Sequence, residues 1–230
     1  MPDARSSTAN PRGDETRRRL LAAALEAFSR HGYDGVSTRQ LAQRAGVNLA
    51  AIPYHFGSKA GVYQAVVDGI AEGFGEPLRR AADAARTAAS DPALGPAARC
   101  ARLREFLQAM ARQLLGSADA RLRSGIILRE QIHPTPAFDA IYRDFIHPVH
   151  ETVAALLGGV LGRAYDDPEI VLRTHAVIGQ IVVFRAARET IMRRMDWDGF
   201  TPERVEQIAH LVGDQVCAML LTQQHDEART

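Results

Sequence analysis

The chain has 230 residues, of which 46% are apolar and 24% charged, and a formal net charge of only +1. That length allows one sizeable domain or two small ones around a real core, and the charge excludes a polycation. No apolar run approaches transmembrane length, and the N-terminal "RRRLLAAALEAFSRHG" is broken by Glu26 and Arg30, so neither a membrane span nor a secretory leader is expected, and the cytoplasm is the expected location.

Residues 1–13, "MPDARSSTANPRG", lack apolar content and are expected to form a disordered, solvated arm. From Asp14 the pattern becomes helical, with Leu20, Leu21, Ala24, Leu25 and Phe28 at helical spacing and Gly32 as the stop. Ser37 then caps a second helix that turns Leu41 and Ala45 inward and ends at Gly46. Asn48 is expected to cap a third short helix. Ser58 should cap a fourth, carrying Val62, Tyr63, Val66, Val67, Ile70 and Phe74. A helix, a glycine turn and a second helix over Ser37–Phe56 make a helix-turn-helix, whose second helix enters the DNA major groove. Charge agrees with this. Residues 1–60 hold nine Arg or Lys against five Asp or Glu, and the other 170 hold 19 against 22, as suits a nucleic-acid module on a mildly acidic body.

Beyond Pro77 an alanine-rich stretch fades into a loop around residues 91–96, and long helical patterns follow. One covers Ala97 to Leu115, a second about Asp119 to Ile132, and a third starts near Pro136 and should bend at Pro148. The last two helices have wide apolar faces. Ile170, Val177, Ile178 and Ile181 on one, with Val205, Ile208, Val212, Val216 and Met219 on the other, could pack within the chain or pair two chains as a four-helix bundle. We take them as a homodimer interface. No alternating strand pattern occurs, so the expected fold is all-α: an N-terminal three-helix DNA-binding domain over 14–60 and a helical domain over 61–225 that carries the dimerisation helices, to which the resemblance given below adds effector binding.

The two cysteines, Cys100 and Cys217, match no metal spacing and are expected as buried free thiols. His147 and His150 are three apart, a spacing compatible with a metal, but no third ligand stands at a matching position, so we assign no metal and no cofactor. Glycine-rich phosphate loops, nucleophile elbows and paired catalytic carboxylates are missing as motifs, and no enzyme is expected.

The stretch "FSRHGYDGVSTRQLAQRAGVNLAAIPYHFGSKAGVY" resembles the DNA-binding domain of the TetR family of transcriptional regulators through Phe28, Gly32, Tyr33, Ser37, Thr38, Leu41, Ala42, Ala45, Gly46, Val47, Tyr54, His55, Phe56, Lys59 and Tyr63. "REQIHPTPAFDAIYRDFIHPVHETVAALLG" is similar to the CecR-like subgroup, which carries its own ligand-binding domain. The resemblance implies a repressor that binds a palindromic operator in double-stranded DNA as a homodimer and is released by a small molecule. It places Thr38, Tyr54, His55 and Lys59 on the DNA surface, with Thr38, Tyr54 and Lys59 on phosphates. Arg39, Gln40, Asn48, Leu49, Ala50 and Ala51 are the candidates for the groove face. Lys59 is the only lysine beside 27 arginines, and an ammonium at a helix start suits a single phosphate oxygen.

Pro53 departs from the family pattern, which often has tyrosine there, and a proline five positions into a short helix should cost it a backbone hydrogen bond. In the body the resemblance implies an effector pocket, for which the sequence offers Met110, Ile127, Phe138, Tyr142 and Phe145 as apolar wall and Arg129, Glu130, His133, His147, His150 and His175 as polar groups. The alternative is a helical binding or scaffold protein whose helix-turn-helix is vestigial.

Overall fold

The computed structural model describes residues 11–73 and 75–227, and every regular element among them is helical. The head is built from α1 (Pro11–His31), α2 (Thr38–Ala45), α3 (Ala51–Phe56) and α4 (Lys59–Gly73). Helix α1 starts at Pro11 rather than at Asp14, since proline is preorganised for a first helical position. Of the arm expected over residues 1–13, the last three are therefore helical, and 1–10 lie outside the described residues, as does Phe74. Leu20, Ala24, Ala27 and Phe28 on α1 are fully buried, and α1 touches α2, α3 and α4. Its stop is Gly32, with φ of +72°, where any Cβ would also meet the Arg129 side chain.

The body contains α5 (Gly75–Ser90), α6 (Pro96–Leu115), α7 (Ala118–Ile132), α8 (Phe138–Ile141), a π turn (Tyr142–Ile146), α9 (His147–Leu161), α10 (Pro168–Ala186), α11 (Arg188–Met195) and α12 (Pro202–Glu227). Side-chain caps set several of its starts. Ser117 accepts from the Ala120 N–H, Asp167 from Glu169, and Thr201 from Arg204, with Pro168 and Pro202 at first helical positions. The bend expected at Pro148 is a slip of register just before it: the His147 N–H reaches back five residues to the Tyr142 carbonyl. Pro148 has no N–H, and the slip lets the chain pass it without breaking.

Helix α6 is the axis of the body and packs against α5, α7, α9, α10 and α12. Leu103, Phe106, Leu107 and Met110 are buried on it, each contributing roughly 1.5–3 kcal/mol from removal of apolar surface. Cys100 and Cys217 are free and buried where α6 meets α12, with the Cys217 thiol donating to the Cys100 carbonyl at 3.0 Å. Arg112–Glu206 (2.6 Å) and Arg104–Asp214 (2.9 Å) tie the same two helices at their rim.

This packing corrects the expected chain–chain interface. Ile170, Val177, Ile181, Val205, Ile208, Val212 and Val216 are all 3% exposed or less within a single chain, so a second chain cannot reach them. Ile178 is half-buried and only Met219 is exposed. The apolar faces of α10 and α12 are wide because each helix is apolar on two sides. The inner side, which the sequence pattern marks most strongly, is consumed by the chain's own core. The outer side leaves Leu172, Val183 and Leu211 in solvent.

Candidate nucleic-acid interface and effector cavity

The head positions its exposed side chains through local rules. Ser37 and Gln40 form a reciprocal capping box: the Gln40 N–H donates to Ser37 Oγ (3.2 Å), and the Ser37 N–H donates to Gln40 Oε1 (2.8 Å). The Gln40 side-chain oxygen is thereby committed to the cap, which leaves only its amide nitrogen for a base edge. At the other end Gly46 takes φ of +61°, and the Val47 N–H returns to the Ala42 carbonyl at 3.0 Å. Arg19 donates to the Gly46 carbonyl at 3.0 Å, and a Cβ on Gly46 would stand 2.5 Å from that guanidinium. The left-handed backbone is what demands glycine at 46; the Arg19 guanidinium, the far end of a flexible side chain, could move aside.

Helix α3 begins later than expected. Asn48 does not cap it; its Oδ1 accepts from the Ala50 N–H (2.9 Å) and closes a turn of its own, after which Ala51 starts the helix. This shift resolves the proline. Pro53 falls in the first turn of α3, where its missing N–H would have had no helical partner, and the Leu49 carbonyl it leaves free accepts from Ile52 instead. The expected loss of a hydrogen bond does not occur.

Ile52 is buried and anchors α3, while Leu49 and Tyr54 are 47% and 78% exposed. The Tyr54 ring stands edge-on to His55 at 4.7 Å. Lys59 opens α4, directly after Ser58, whose Oγ accepts from the Gly61 N–H. Its Nζ lies 4.2 Å from the centre of the Tyr33 ring, and Tyr33 packs on Tyr63 and Phe28. Lys59 is the first residue of a helix, and a cation on a helix start adds to the pull of its free amide groups on an anion. Arg39, Asn48 and Ala50 are exposed, and Thr38, Ala51 and His55 are half-buried. Sequence reasoning missed Arg17, whose guanidinium lies over the Phe56 ring at 5.4 Å; the run of three arginines in α1 gave no sign of which one would reach α3.

Glu130 does not line the cavity described below. It is 1% exposed and accepts from the Tyr63 hydroxyl of α4 (2.5 Å), from the Thr135 N–H (2.8 Å) and from the Thr135 hydroxyl (2.9 Å). Burial, together with the Glu130 carboxylate, pushes the Tyr63 hydroxyl well above its ordinary pKa, so it stays a donor. Arg129, next to it on α7, donates to the Arg30 carbonyl at the end of α1. Head and body are therefore joined by two neighbouring residues of one helix.

The other side of α7 faces a small cavity of about 70 Å³, walled by Met110, Leu114, Ile127, Leu128, Phe145, Val149 and Val182, with Ser124, Gln131, His150 and Arg185 as polar groups. Of the residues expected to line an effector pocket, Met110, Ile127, Phe145 and His150 meet here. His133 and His175 are exposed and Phe138 packs on the core. Tyr142 and His147 line a separate outer groove that shares His150 with the cavity. Burial and the nearby His175 and His147 hold the His150 imidazole below its ordinary pKa, in its neutral form. Arg185 donates to Ser124 Oγ and to the Arg121 carbonyl (both 3.0 Å), and its pKa is lowered by burial and by Arg121 and Arg188. Among the described residues no three His, Cys, Asp or Glu are placed to hold a metal.

Residues 20–66 match the model of bacterial regulatory proteins of the tetR family, and residues 100–222 match that of the HTH-type transcriptional dual regulator CecR, C-terminal domain. The chain is 36% identical to the dual regulator CecR of Shigella flexneri, over 87% of this chain and 89% of that one. It is 42% identical to the regulatory protein RaaS of Mycobacterium tuberculosis over 32% of each chain. Among solved structures, the TetR-family regulator PfmR of Thermus thermophilus aligns over 87% of this chain and 95% of its own with a TM-score of 0.59 at 23% identity, a likeness of fold.

Proposed function

The chain belongs to the TetR family of bacterial transcriptional regulators, with a C-terminal domain of the CecR kind, and on that premise we propose that it works as a homodimeric repressor. It binds a palindromic operator, and a small molecule in the body releases it. The observation that carries the reading is the pairing of Tyr54, 78% exposed on a helix anchored by buried Ile52, with Lys59 at the next helix start. A large aromatic ring left in water beside an anion-favouring helix end is suited to the sugar–phosphate edge of a duplex. Base reading then falls to Arg39, Asn48, Leu49, Ala50 and Ala51, with apolar contact to thymine methyls open to Leu49 and the alanines.

The dimer is proposed to form through the outer sides of α10 and α12. Leu172, Ala176, Gly179 and Val183 repeat at steps of four, three and four on α10, and all are exposed. Leu211, Gln215, Ala218 and Thr222 repeat in the same way on α12, with Met219 beside them. Two such helices from each chain make a four-helix bundle with an apolar seam. Leu211→Asp should convert the dimer to monomer in light scattering while leaving the helical circular dichroism intact.

Release is proposed to act through α7. At about 70 Å³ the cavity has room for roughly two waters, against about 300 Å³ or more for a typical ligand site, so an effector must widen it. Ile127, Leu128 and Gln131 would be displaced, and Arg129 and Glu130 on the same helix would carry the shift to α1 and α4. The effector favours the released state only as far as it binds that state better. Repression follows where the operator overlaps a promoter. No single described helix is long and apolar enough to cross a membrane, and the proposed DNA target would be met in the cytoplasm. Selection from a random duplex pool tests the proposal. An enriched palindrome supports it, and a pool without enrichment favours the scaffold alternative.

A further inference from the structure

The outer groove that shares His150 with the apolar cavity has a volume of about 220 Å³, roughly seven waters' worth, between the starts of α9 and α10. Its walls include two tyrosine rings, Tyr142 and Tyr165, and two carboxylates, Glu151 and Asp166, while no arginine or lysine lines it. Arg163 of the adjoining loop, which with Glu151 and Tyr165 lines a neighbouring groove, and Arg173 of α10 are engaged by Asp167 and Glu169. Thr174 completes the lining. It is 1% exposed, and its Oγ1 has no hydrogen-bond partner, although a buried hydroxyl left unpaired costs stability. Imidazoles do not reverse the sign of the site. His147 sits 3.5 Å from Glu151, and His150 is held neutral.

We infer that this groove binds a compact organic cation of the alkylammonium class bearing a hydroxyl or an N–H. Aromatic faces attract a cation through the ring quadrupole, and the interaction strengthens where water is excluded. The carboxylates supply the long-range attraction. The orphan hydroxyl of Thr174 offers the one hydrogen bond that fixes orientation. Two exposed acids alone would give a weak and unselective site; the rings and the buried hydroxyl are what make it selective. The regulatory consequence rests on the effector reading, since a ligand against His150 presses on the wall of the apolar cavity. The binding itself does not.

Choline and its neutral isostere 3,3-dimethylbutan-1-ol separate charge from shape, and calorimetric titration of the full-length protein without DNA reads both. Choline should bind saturably, with the alcohol at least about tenfold weaker. The double variant Glu151→Gln, Asp166→Asn should weaken choline about fivefold or more and leave the alcohol unchanged. Tyr142→Leu with Tyr165→Leu should do the same through the rings. Thr174→Val should weaken both ligands and leave the helical circular dichroism and thermal midpoint no lower than those of the parent. Equal affinity for the two ligands, an unchanged double carboxamide variant, or no saturable choline binding up to about 20 mM overturns the inference. Operator binding is measured separately. Choline binding without any duplex binding sinks the regulatory reading and spares the groove, and the converse spares the regulator.

Discussion

The head and the body of this chain hold their sites in opposite ways. The exposed face of the head is carried on short helices, eight residues in α2 and six in α3, and presents Tyr54, Leu49 and Asn48 to solvent. Its geometry is fixed by bonds between near neighbours in sequence: a capping box, a left-handed glycine and an asparagine turn. The body encloses its cavity among the π turn and α6, α7, α9 and α10, helices of 15 to 20 residues, so its site is set by packing between residues far apart in the chain. A site held by local bonds can be altered one contact at a time. A site held by packing cannot be changed without moving its neighbours, which is how a ligand there can shift a distant helix.

The contrast predicts where substitutions register. The largest effect belongs to the junction between the two regions. Glu130→Ala should cost about 3 kcal/mol in chemical denaturation, because it leaves the buried Tyr63 hydroxyl and the half-buried Thr135 donors without their acceptor. Glu130→Gln, which keeps an acceptor, should recover part of that. Next is Gly46→Ala, which forces a side chain into a left-handed backbone and against Arg19. About 1–3 kcal/mol should be lost, together with operator affinity, since α3 is aimed by this turn.

Pro53→Ala is a sharper case because the expected change is small. With proline in the first turn of α3, replacement should move stability by less than about 0.5 kcal/mol; a gain above about 2 kcal/mol would mean that Pro53 does interrupt the helix.

The smallest effect is a pH dependence in the body. His150 has its folded pKa depressed below 6.5, so the unfolded chain binds the proton first as pH falls. The stability is full above pH 6.5 and is lost as pH drops through the folded value, and His150→Gln should flatten that part of a thermal-midpoint profile between pH 8 and 5. A profile unchanged by the substitution would place the imidazole in a solvated setting.

The same contrast governs what the sequence made legible. The head follows rules that act over three to five residues, so Ser37, Gly46 and Ser58 stood out as cap, stop and cap, and the structure has all three in those roles. Even there one local competitor intervened: the Asn48 side chain closed its own turn, delayed α3 and made Pro53 harmless. In the body, α6, α7 and α12 were readable from periodicity, and so was the disturbance at Pro148, but the alanine-rich stretch after Pro77 is a full helix, α5, and the stretch from Asp167 to Met195, which reads as one helix, is two, α10 and α11, bent by 67°. Partners across space were not. Glu130 looked like a pocket acid because nothing in "LREQIH" indicates that Tyr63, 67 residues earlier, will reach it. The α10 and α12 stripes looked like an interface because periodicity marks an apolar face without saying whether the chain's own core or a second chain covers it.

The claim on which the rest depends is that Lys59, held over Tyr33 at the start of α4, grips a DNA phosphate in each half of a dimer. The direct measurement is the salt dependence of operator binding for the parent chain and for Lys59→Ala. Two lost phosphate contacts should reduce the slope of log K against log salt by roughly 1.8, about 0.9 per contact, with thermal stability unchanged. Equal slopes for the two proteins would contradict the phosphate role and with it the proposed docking of the head.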